Sequence, residues 1–177
     1  MNQSRPAELD AVPSVPEVIG RIGRTAGAAR HPDALKVQLI ARSPDTKVAR
    51  EMLARLPEFE AQGVGFEAIF TKLSGTDVLA AVAEVYGAET ARRTVRVVNV
   101  PEQGEIVEQV NFGRVAVWTG KKLKAWTTAD FEHGTLSMTG AGSQQAQMAG
   151  MAFRALWNVA EAPANDAGPE TLKVAGG

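Results

Sequence analysis

Apolar and polar positions in the first hundred residues follow two alternating kinds of periodicity. Residues 35–41 alternate apolar and polar side chains, which predicts a strand, and after a turn and cap at residues 43–45 the segment 48–56 has helical spacing. Residues 63–70 repeat the strand pattern, and a second helix is predicted from Thr76 or Asp77 to Gly87. A third strand is predicted over 94–100, so the order is that of a parallel βαβαβ core.

The pattern changes after Pro101. The segments 106–112, 114–118 and 123–128 are short and strand-like, with tight turns between them, and Thr119 to Lys122 is the predicted hairpin tip. We expect them to extend the sheet as antiparallel strands. The glycine-rich residues 134–142 then lead to Ser143, the predicted N-cap of a last helix. The apolar side of that helix, which we expect to pack on the sheet, is formed by Met148, Met151, Ala152, Ala155, Leu156 and Val159.

These elements predict an α/β fold with a mixed sheet, in which a parallel βαβαβ core is extended by antiparallel hairpin strands and helices cover both faces. The predicted domain spans 31–161. Residues 1–30 are expected to form a flexible arm with one short helix after Pro16, where Val18, Ile19 and Ile22 have helical spacing. Residues 162–177 are rich in Ala, Pro and Gly and are predicted to be a disordered tail.

Composition removes several classes of function. The formal charge of −1 gives no overall attraction to nucleic acid or to an anionic membrane. The absence of cysteine excludes disulfides, thiolate metal sites and a cysteine nucleophile. No signal-like or membrane-spanning apolar run occurs, so the expected location is cytoplasmic, without membrane contact. No spacing of metal ligands is found either, and we expect neither a metal nor another cofactor.

Only two histidines are present, which limits acid–base chemistry. His31 precedes Pro32 in a polar linker and is expected to be an ordinary surface residue. His133 lies in a loop near Ser137 and Ser143, so a hydrolase with His133 as its base is one alternative, although no nucleophile-elbow pattern surrounds either serine. The other interpretation of His133 is a solvated loop side chain, and no catalytic residue is assigned.

The strongest local charge lies between residues 109 and 129, where four basic residues occur without an acidic one. A hairpin that carries cations and aromatic rings can bind phosphates and stack bases, so a nucleic-acid or phosphoanion binder is a second alternative. Its candidate binding residues are Arg114, Lys121, Lys122, Lys124, Trp118 and Trp126. The opposing interpretation is that the lysines lie on a solvated hairpin and the tryptophans pack in a core or an interface.

The order of elements over residues 35–160 resembles one half of the phospholipase D-like superfamily. The resemblance rests on the strand at 95–100, the hairpin formed by 106–112 and 114–120, and the closing helix with Phe153, Leu156 and Trp157. It implies that the active site of the family is built where two such halves meet. A chain with one half is then expected to form a homodimer that buries an apolar surface, for which the tryptophans, Met148 and Met151 are candidates.

The catalytic motif of that family is degenerate here. The motif has a histidine that attacks phosphorus, a lysine and an asparagine that bind phosphoryl oxygens, an acid, and Gly-Ser. Aligning its glycine with Gly120 places Ile106, Glu108, Gly113, Lys121 and Lys124 at the positions of the histidine, lysine, acid, serine and asparagine. Isoleucine is no nucleophile, and a glutamate would repel a phosphodiester. The resemblance therefore implies a pseudoenzyme that acts as a binding, regulatory or scaffold protein, with a further protein partner as one option.

Overall fold

The computed structural model describes residues 15–25, 32–99, 106–123, 135–138 and 144–163. Within these residues six strands form one mixed sheet in the order β3-β2-β1-β4-β5-β6. The strands are β1 (Lys36–Ala41), β2 (Gly65–Phe70), β3 (Val95–Val97), β4 (Ile106–Phe112), β5 (Ala116–Leu123) and β6 (Thr135–Met138). The first three are parallel, and β4, β5 and β6 each run antiparallel to the preceding strand of the sheet. The predicted core and its antiparallel extension are confirmed.

Helices cover both faces of this sheet. The helices are α1 (Val15–Thr25), α2 (Lys47–Ala54), α3 (Leu56–Ala61), α4 (Val78–Tyr86), α5 (Ala88–Thr94) and α6 (Gln144–Val159), and a 3-10 turn spans Pro32–Leu35. Side chains of α1 to α5 share one buried cluster with Leu39 and Val110 of the sheet. The opposite face is covered by α6, whose Phe153 packs with Ile40 and Ile69. Residues along each strand contribute alternately to the two faces, because successive side chains point to opposite sides of the sheet.

The segment after β1 forms two helices where the sequence pattern indicated one. Thr46 is the N-cap of α2, and its Oγ1 accepts a hydrogen bond from the Ala49 N–H at 3.4 Å. The helix ends at Arg55 because Pro57 lacks an N–H and fits only the first turn of a new helix, which is α3. The short α5, which precedes β3, was not predicted, since AETARRT has little apolar periodicity.

The start of α4 agrees with its prediction. Asp77 is the N-cap, with its Oδ1 3.0 Å from the Ala80 nitrogen, and the helix ends at Gly87, whose φ is 91°. Asp45 contacts the loop that precedes α4. Its Oδ1 accepts hydrogen bonds from the Thr76 N–H at 3.1 Å and from the Thr76 hydroxyl at 2.6 Å. These two hydrogen bonds lower the pKa of Asp45.

The strand β5 is longer than predicted. The turn between β4 and β5 lies at residues 113–115, close to the predicted break between 106–112 and 114–118, whereas residues 119–122, predicted as a hairpin tip, belong to β5. Gly113 permits this turn because its φ is 55°, and its N–H donates to the Lys36 carbonyl at 2.8 Å. Residues 135–138, predicted as part of a glycine-rich passage, form β6. The predicted strand over 123–128 retains only Leu123, at the end of β5, and its other residues lie outside the described part, as does Ser143.

The packed side of α6 was also predicted wrongly. Met148, Met151 and Val159, expected to face the sheet, are 62%, 72% and 68% exposed, and Ala152 and Ala155 are exposed as well. The buried side instead consists of Ala146, Ala149 and Phe153, with Trp157 and the correctly predicted Leu156 partly buried, and Ala160 is buried directly after the helix. Apolar residues occur on both sides of this helix, so the spacing alone did not distinguish them.

The short N-terminal helix is confirmed and belongs to the folded unit. Val18, Ile19 and Ile22 of α1 are fully buried in the cluster that also contains β4 residues, so this unit begins before residue 31, where the sequence placed its start. The arm before residue 15 and the tail after residue 163 lie outside the described residues.

Two glycines with similar backbone conformations allow a matched test of the β4–β5 turn. A Cβ at Gly113 would lie 2.4 Å from the Ala34 carbonyl oxygen, whereas a Cβ at Gly63, with φ of 69°, meets nothing within 4 Å. We expect Gly63→Ala to cost about 1–2 kcal/mol of backbone strain. Gly113→Ala should cost a further roughly 1–3 kcal/mol through the clash. Urea unfolding of both variants measures the difference, and equal losses would contradict the turn geometry.

Candidate functional site

The predicted binding residues in the described part of the chain are spread along β5 and the turn before it. Arg114 lies in the β4–β5 turn, and the backbone of Lys121 and Lys122 lies near the far end of β5. At about 3.3 Å per residue these positions are separated by about 20 Å. Trp118 is 1% exposed in the main core, so its ring is closed to a stacking base. Lys124, Trp126, His31 and His133 lie outside the described residues.

A buried carboxylate lies where β4 meets the carboxyl end of β1. Glu108 is fully buried, and its Oε1 accepts a hydrogen bond from the Arg42 N–H at 3.3 Å. Its Oε2 is buried without a hydrogen-bond partner. The register of β4 and β5 shifts here, since Val107 pairs with Lys122 and Gln109 pairs with Thr119. Glu108 is thus one residue opposite two on β5, which is the arrangement of a β-bulge.

Gly120 lies directly against the side chains that enclose this carboxylate. A Cβ at Gly120 would lie 2.8 Å from the Trp118 ring and 3.3 Å from the Glu108 Cβ. Only glycine therefore lets the indole and the glutamate stem pack together at the bulge. Burial raises the pKa of Glu108 to about 7, against the opposing effect of the Arg42 N–H. The side chain is a proton-binding group near neutral pH, and it is sealed from solvent.

The other face of the sheet carries a row of buried polar side chains. Glu67 of β2, Gln38 of β1 and Asn111 of β4 occupy paired positions on three adjacent strands. Gln38 Nε2 donates to Glu67 Oε2 at 3.0 Å, and Asn111 Nδ2 donates to Gln38 Oε1 at 3.4 Å. The row continues into α6, because Asn111 Nδ2 and Gln109 Nε2 both donate to the Ala149 carbonyl, at 3.2 and 3.1 Å.

Charged groups complete this row at its outer end. The Arg154 guanidinium on α6 lies 2.8 Å from Glu67 Oε2, and its Nε lies 3.2 Å from Asp33 Oδ2 in the 3-10 turn. Lys36 Nζ lies 2.7 Å from Glu67 Oε1 and 3.9 Å from Asp33. The charges of two acidic and two basic side chains therefore cancel, and one network joins α6, β1, β2 and the 3-10 turn.

A cavity of about 280 Å³ opens beside this network. It lies between α6, the 3-10 turn and the β4–β5 turn. Asp33, Gln38, Gly113, Arg114, Gln147 and Arg154 contribute the polar part of its lining. Of the predicted binding residues in the described part of the chain, Arg114 lines this cavity, together with groups on α6 and β1.

Sequence reasoning missed most of this polar network. Gln38 and Glu67 interrupt otherwise apolar strand segments, KVQLIA and GFEAIF, and these interruptions were the available signal. Arg154 is the single charged residue in the 16-residue α6, which is a second signal. The partners of these residues, 29 to 121 positions away in the sequence, could not be inferred from either signal.

Comparison with known proteins assigns no function to these features. No model of a protein family matches the chain, and no curated protein matches it. Among the described residues, no group of three or more histidine, aspartate or glutamate side chains could hold a metal ion. None of the helices in the described part has both the length and the hydrophobicity needed to cross a bilayer.

The raised pKa of Glu108 predicts a pH-dependent stability. The folded chain holds this proton up to about pH 7, whereas the ordinary pKa of a glutamate carboxyl is 4.5. Its contribution to stability is therefore full below pH 4.5 and is lost as the pH rises through 7. Between about pH 5 and pH 8 the wild type should lose about 2–3 kcal/mol from this group, a loss that Glu108→Gln lacks.

Urea unfolding at both pH values measures this effect. Glu84→Gln, at an exposed position of α4, is the matched control and should change with pH as the wild type does. If Glu108→Gln also follows the wild type, then the carboxyl is not held neutral by its surroundings.

The ion pairs of Arg154 predict that loss of a buried pair lowers the stability more than loss of an exposed pair. Arg154→Met leaves Glu67, with a side chain only 7% exposed, without its guanidinium partner, and should cost about 2–3 kcal/mol of stability. Arg93→Met removes the exposed pair with Glu89 and should cost less than about 0.5 kcal/mol. Thermal and urea unfolding of both variants test the difference, and similar small losses would show that the polar network is not a stabilising unit.

Proposed function

We propose that the chain is a non-catalytic domain of phospholipase D-like type that acts as a binding or scaffold protein and works as a homodimer. The family assignment rests on the sequence resemblance. The observation that carries the functional proposal is the outer face of α6, the side of the helix that points away from the sheet. We define this outer face by Met148, Met151, Ala152, Ala155 and Val159.

The outer face of α6 is apolar although it is exposed. Four large hydrophobic residues are exposed in the described part of the chain, and Met148, Met151 and Val159 are three of them. A solvated helix face normally carries charges, whereas the only charge on α6 is Arg154, which belongs to the polar network. Exposed apolar surface of this kind marks an interaction site.

The order of side chains on this face fits a second copy of the same helix. Met148, Ala152, Ala155 and Val159 follow one another as large, small, small and large residues at helical spacing. Two antiparallel copies related by a twofold axis between Ala152 and Ala155 would place each Met148 against the Val159 of the other copy. The alanines would allow the backbones to approach closely, and the interface would be isologous, as in most dimers.

The buried glutamate supports a non-catalytic role for the strand that carries the family's motif. Glu108 replaces the motif's lysine and is enclosed by Trp118 and Gly120 in the protein interior. A phosphodiester in solvent cannot reach it. Ile106, at the position of the nucleophilic histidine, has no group that can attack phosphorus.

The two alternative functions have less support. A phosphoanion binder on the hairpin needs Arg114 close to Lys121 and Lys122, which are about 20 Å along the strand, and an accessible Trp118, which is buried. A hydrolase that uses His133 depends on residues outside the described part of the chain, and no observation favours it.

Charge substitutions on the outer face of α6 test the dimer and its orientation. Met148→Glu and Val159→Lys should each convert the dimer to monomer in sedimentation equilibrium, because an unpaired charge in an apolar interface is costly. The double variant should regain the dimer, since in an antiparallel pair each introduced carboxylate would meet the introduced ammonium group of the other copy.

Ala54→Glu, at an exposed position at the end of α2, is the control for added negative charge and should remain dimeric. A wild type that sediments as a monomer at all concentrations would overturn the homodimer proposal. A dimer that persists in both single variants would place the interface elsewhere.

A further inference from the structure

Two methionine side chains lie on the outer face of α6 and are open to small reagents. Met148 is 62% exposed and Met151 is 72% exposed, whereas Met52 is fully buried in the main core. The chain contains five methionines and no cysteine, so thioethers are its only sulfur groups. Oxidation of sulfur follows exposure, and no thiol is present that would react first. Met148 and Met151 should therefore be oxidised well before Met52.

Hydrogen peroxide is an oxidant that reacts with a thioether directly. The sulfur lone pair attacks one peroxide oxygen, so an S–O bond forms while the O–O bond breaks. The departing hydroxide takes the remaining proton and leaves as water, and the sulfur is oxidised by two electrons. The product, methionine sulfoxide, is polar where the thioether was apolar, and two reductases, one for each epimer, restore the thioether.

A sulfoxide on this face would lie in the apolar contact of the homodimer, and the inference rests on that proposed function. In the antiparallel pair Met148 meets the Val159 of the other copy, whose side chain has no hydrogen-bond donor for a sulfoxide oxygen. A polar group buried without a partner is unfavourable. Because the interface is isologous, a fully oxidised pair carries each unfavourable contact twice.

Dimer formation covers the same two residues. Peroxide then reaches Met148 and Met151 in the free chain and not in the dimer. Each oxidised chain is lost from the population that can pair, so the equilibrium shifts towards monomer. We propose that Met148 and Met151 are a reversible oxidation site through which peroxide dissociates the homodimer.

Protection by the dimer gives the first test. The full chain is treated with hydrogen peroxide at protein concentrations below and above the dissociation constant from sedimentation equilibrium, and peptide mass spectrometry follows the uptake of oxygen. In the dilute sample Met148 and Met151 should be oxidised before Met52. In the concentrated sample their rate should fall in proportion to the fraction of free chains, and equal rates in the two samples would contradict the proposal.

Sedimentation after treatment gives the second test. Oxidation should raise the dissociation constant of the wild type by about tenfold or more, since the sulfoxides are buried without partners. The double variant Met148→Leu, Met151→Leu keeps apolar side chains without sulfur, and peroxide should leave its own dissociation constant unchanged. Met52→Leu is the matched control, a substitution in the core that should leave the response to peroxide as in the wild type.

Reversal by the two sulfoxide reductases separates this effect from general damage, because reduction should return the oxidised wild type to its original dissociation constant. This measurement carries the test if the double variant does not fold or pair. A wild type that is monomeric before treatment overturns the homodimer and this inference together. A dimer that persists with sulfoxide at both positions overturns this inference alone, as does a double variant that peroxide dissociates like the wild type.

Discussion

The fold depends on one row of polar side chains buried between the sheet and α6. Glu67, Gln38 and Asn111 come from three neighbouring strands, and each is at most 6% exposed. A buried amide or carboxylate without a partner costs free energy, so these side chains are tolerated only when the strands are aligned in the observed register. A shift of any one of these strands by one residue would move its polar side chain to the opposite, hydrophobic face. The row therefore selects one alignment, which hydrophobic packing alone would leave less defined.

The same row gives α6 its position and its two different sides. The Ala149 carbonyl and the Arg154 guanidinium attach the helix to the polar row, and Phe153 packs beneath it against Ile40. Once this side is fixed, the outer face of α6 must point to solvent or to another molecule. The cavity lies at the border between the two sides, since Gly150 and Met151 both line it. A structural requirement inside the protein thus determines where the outer face of α6 and the cavity lie.

The parts of the fold that depend on local pattern were predictable from the sequence. The strand β1 and the caps of α4 were correctly predicted, because alternation and a capping aspartate act over a few residues. The continuation of β5 through residues 119–122 was not, because Thr119-Gly120-Lys121-Lys122 has the composition of a turn and its pairing with β4 forms only in the tertiary structure. The prediction of the buried side of α6 failed for a related reason. Phe153 and Met151 are both apolar, and only the position of the sheet distinguishes them.

The candidate site was less predictable than the fold. Arg114 was identified by its charge, but its neighbours Arg154 and Gln38 come from distant elements and are brought together by the sheet order. Glu108 was recognised as a misplaced charge, yet its enclosure depends on the absence of a side chain at Gly120. Local sequence patterns carry little information on contacts of this kind, which form only when the tertiary structure does.

The chain directly after α6 closes one edge of the sheet. Val97 and Glu161 exchange two backbone hydrogen bonds, each 2.8 Å, and Arg96 lies over the Trp157 ring at 4.3 Å while donating to the Trp157 carbonyl. An open strand edge readily pairs with other chains. During synthesis β3 leaves the ribosome long before residue 161, so its edge stays uncovered until residue 161 has been made as well. A nascent or truncated chain that lacks the end of α6 should accordingly be the aggregation-prone form of this protein.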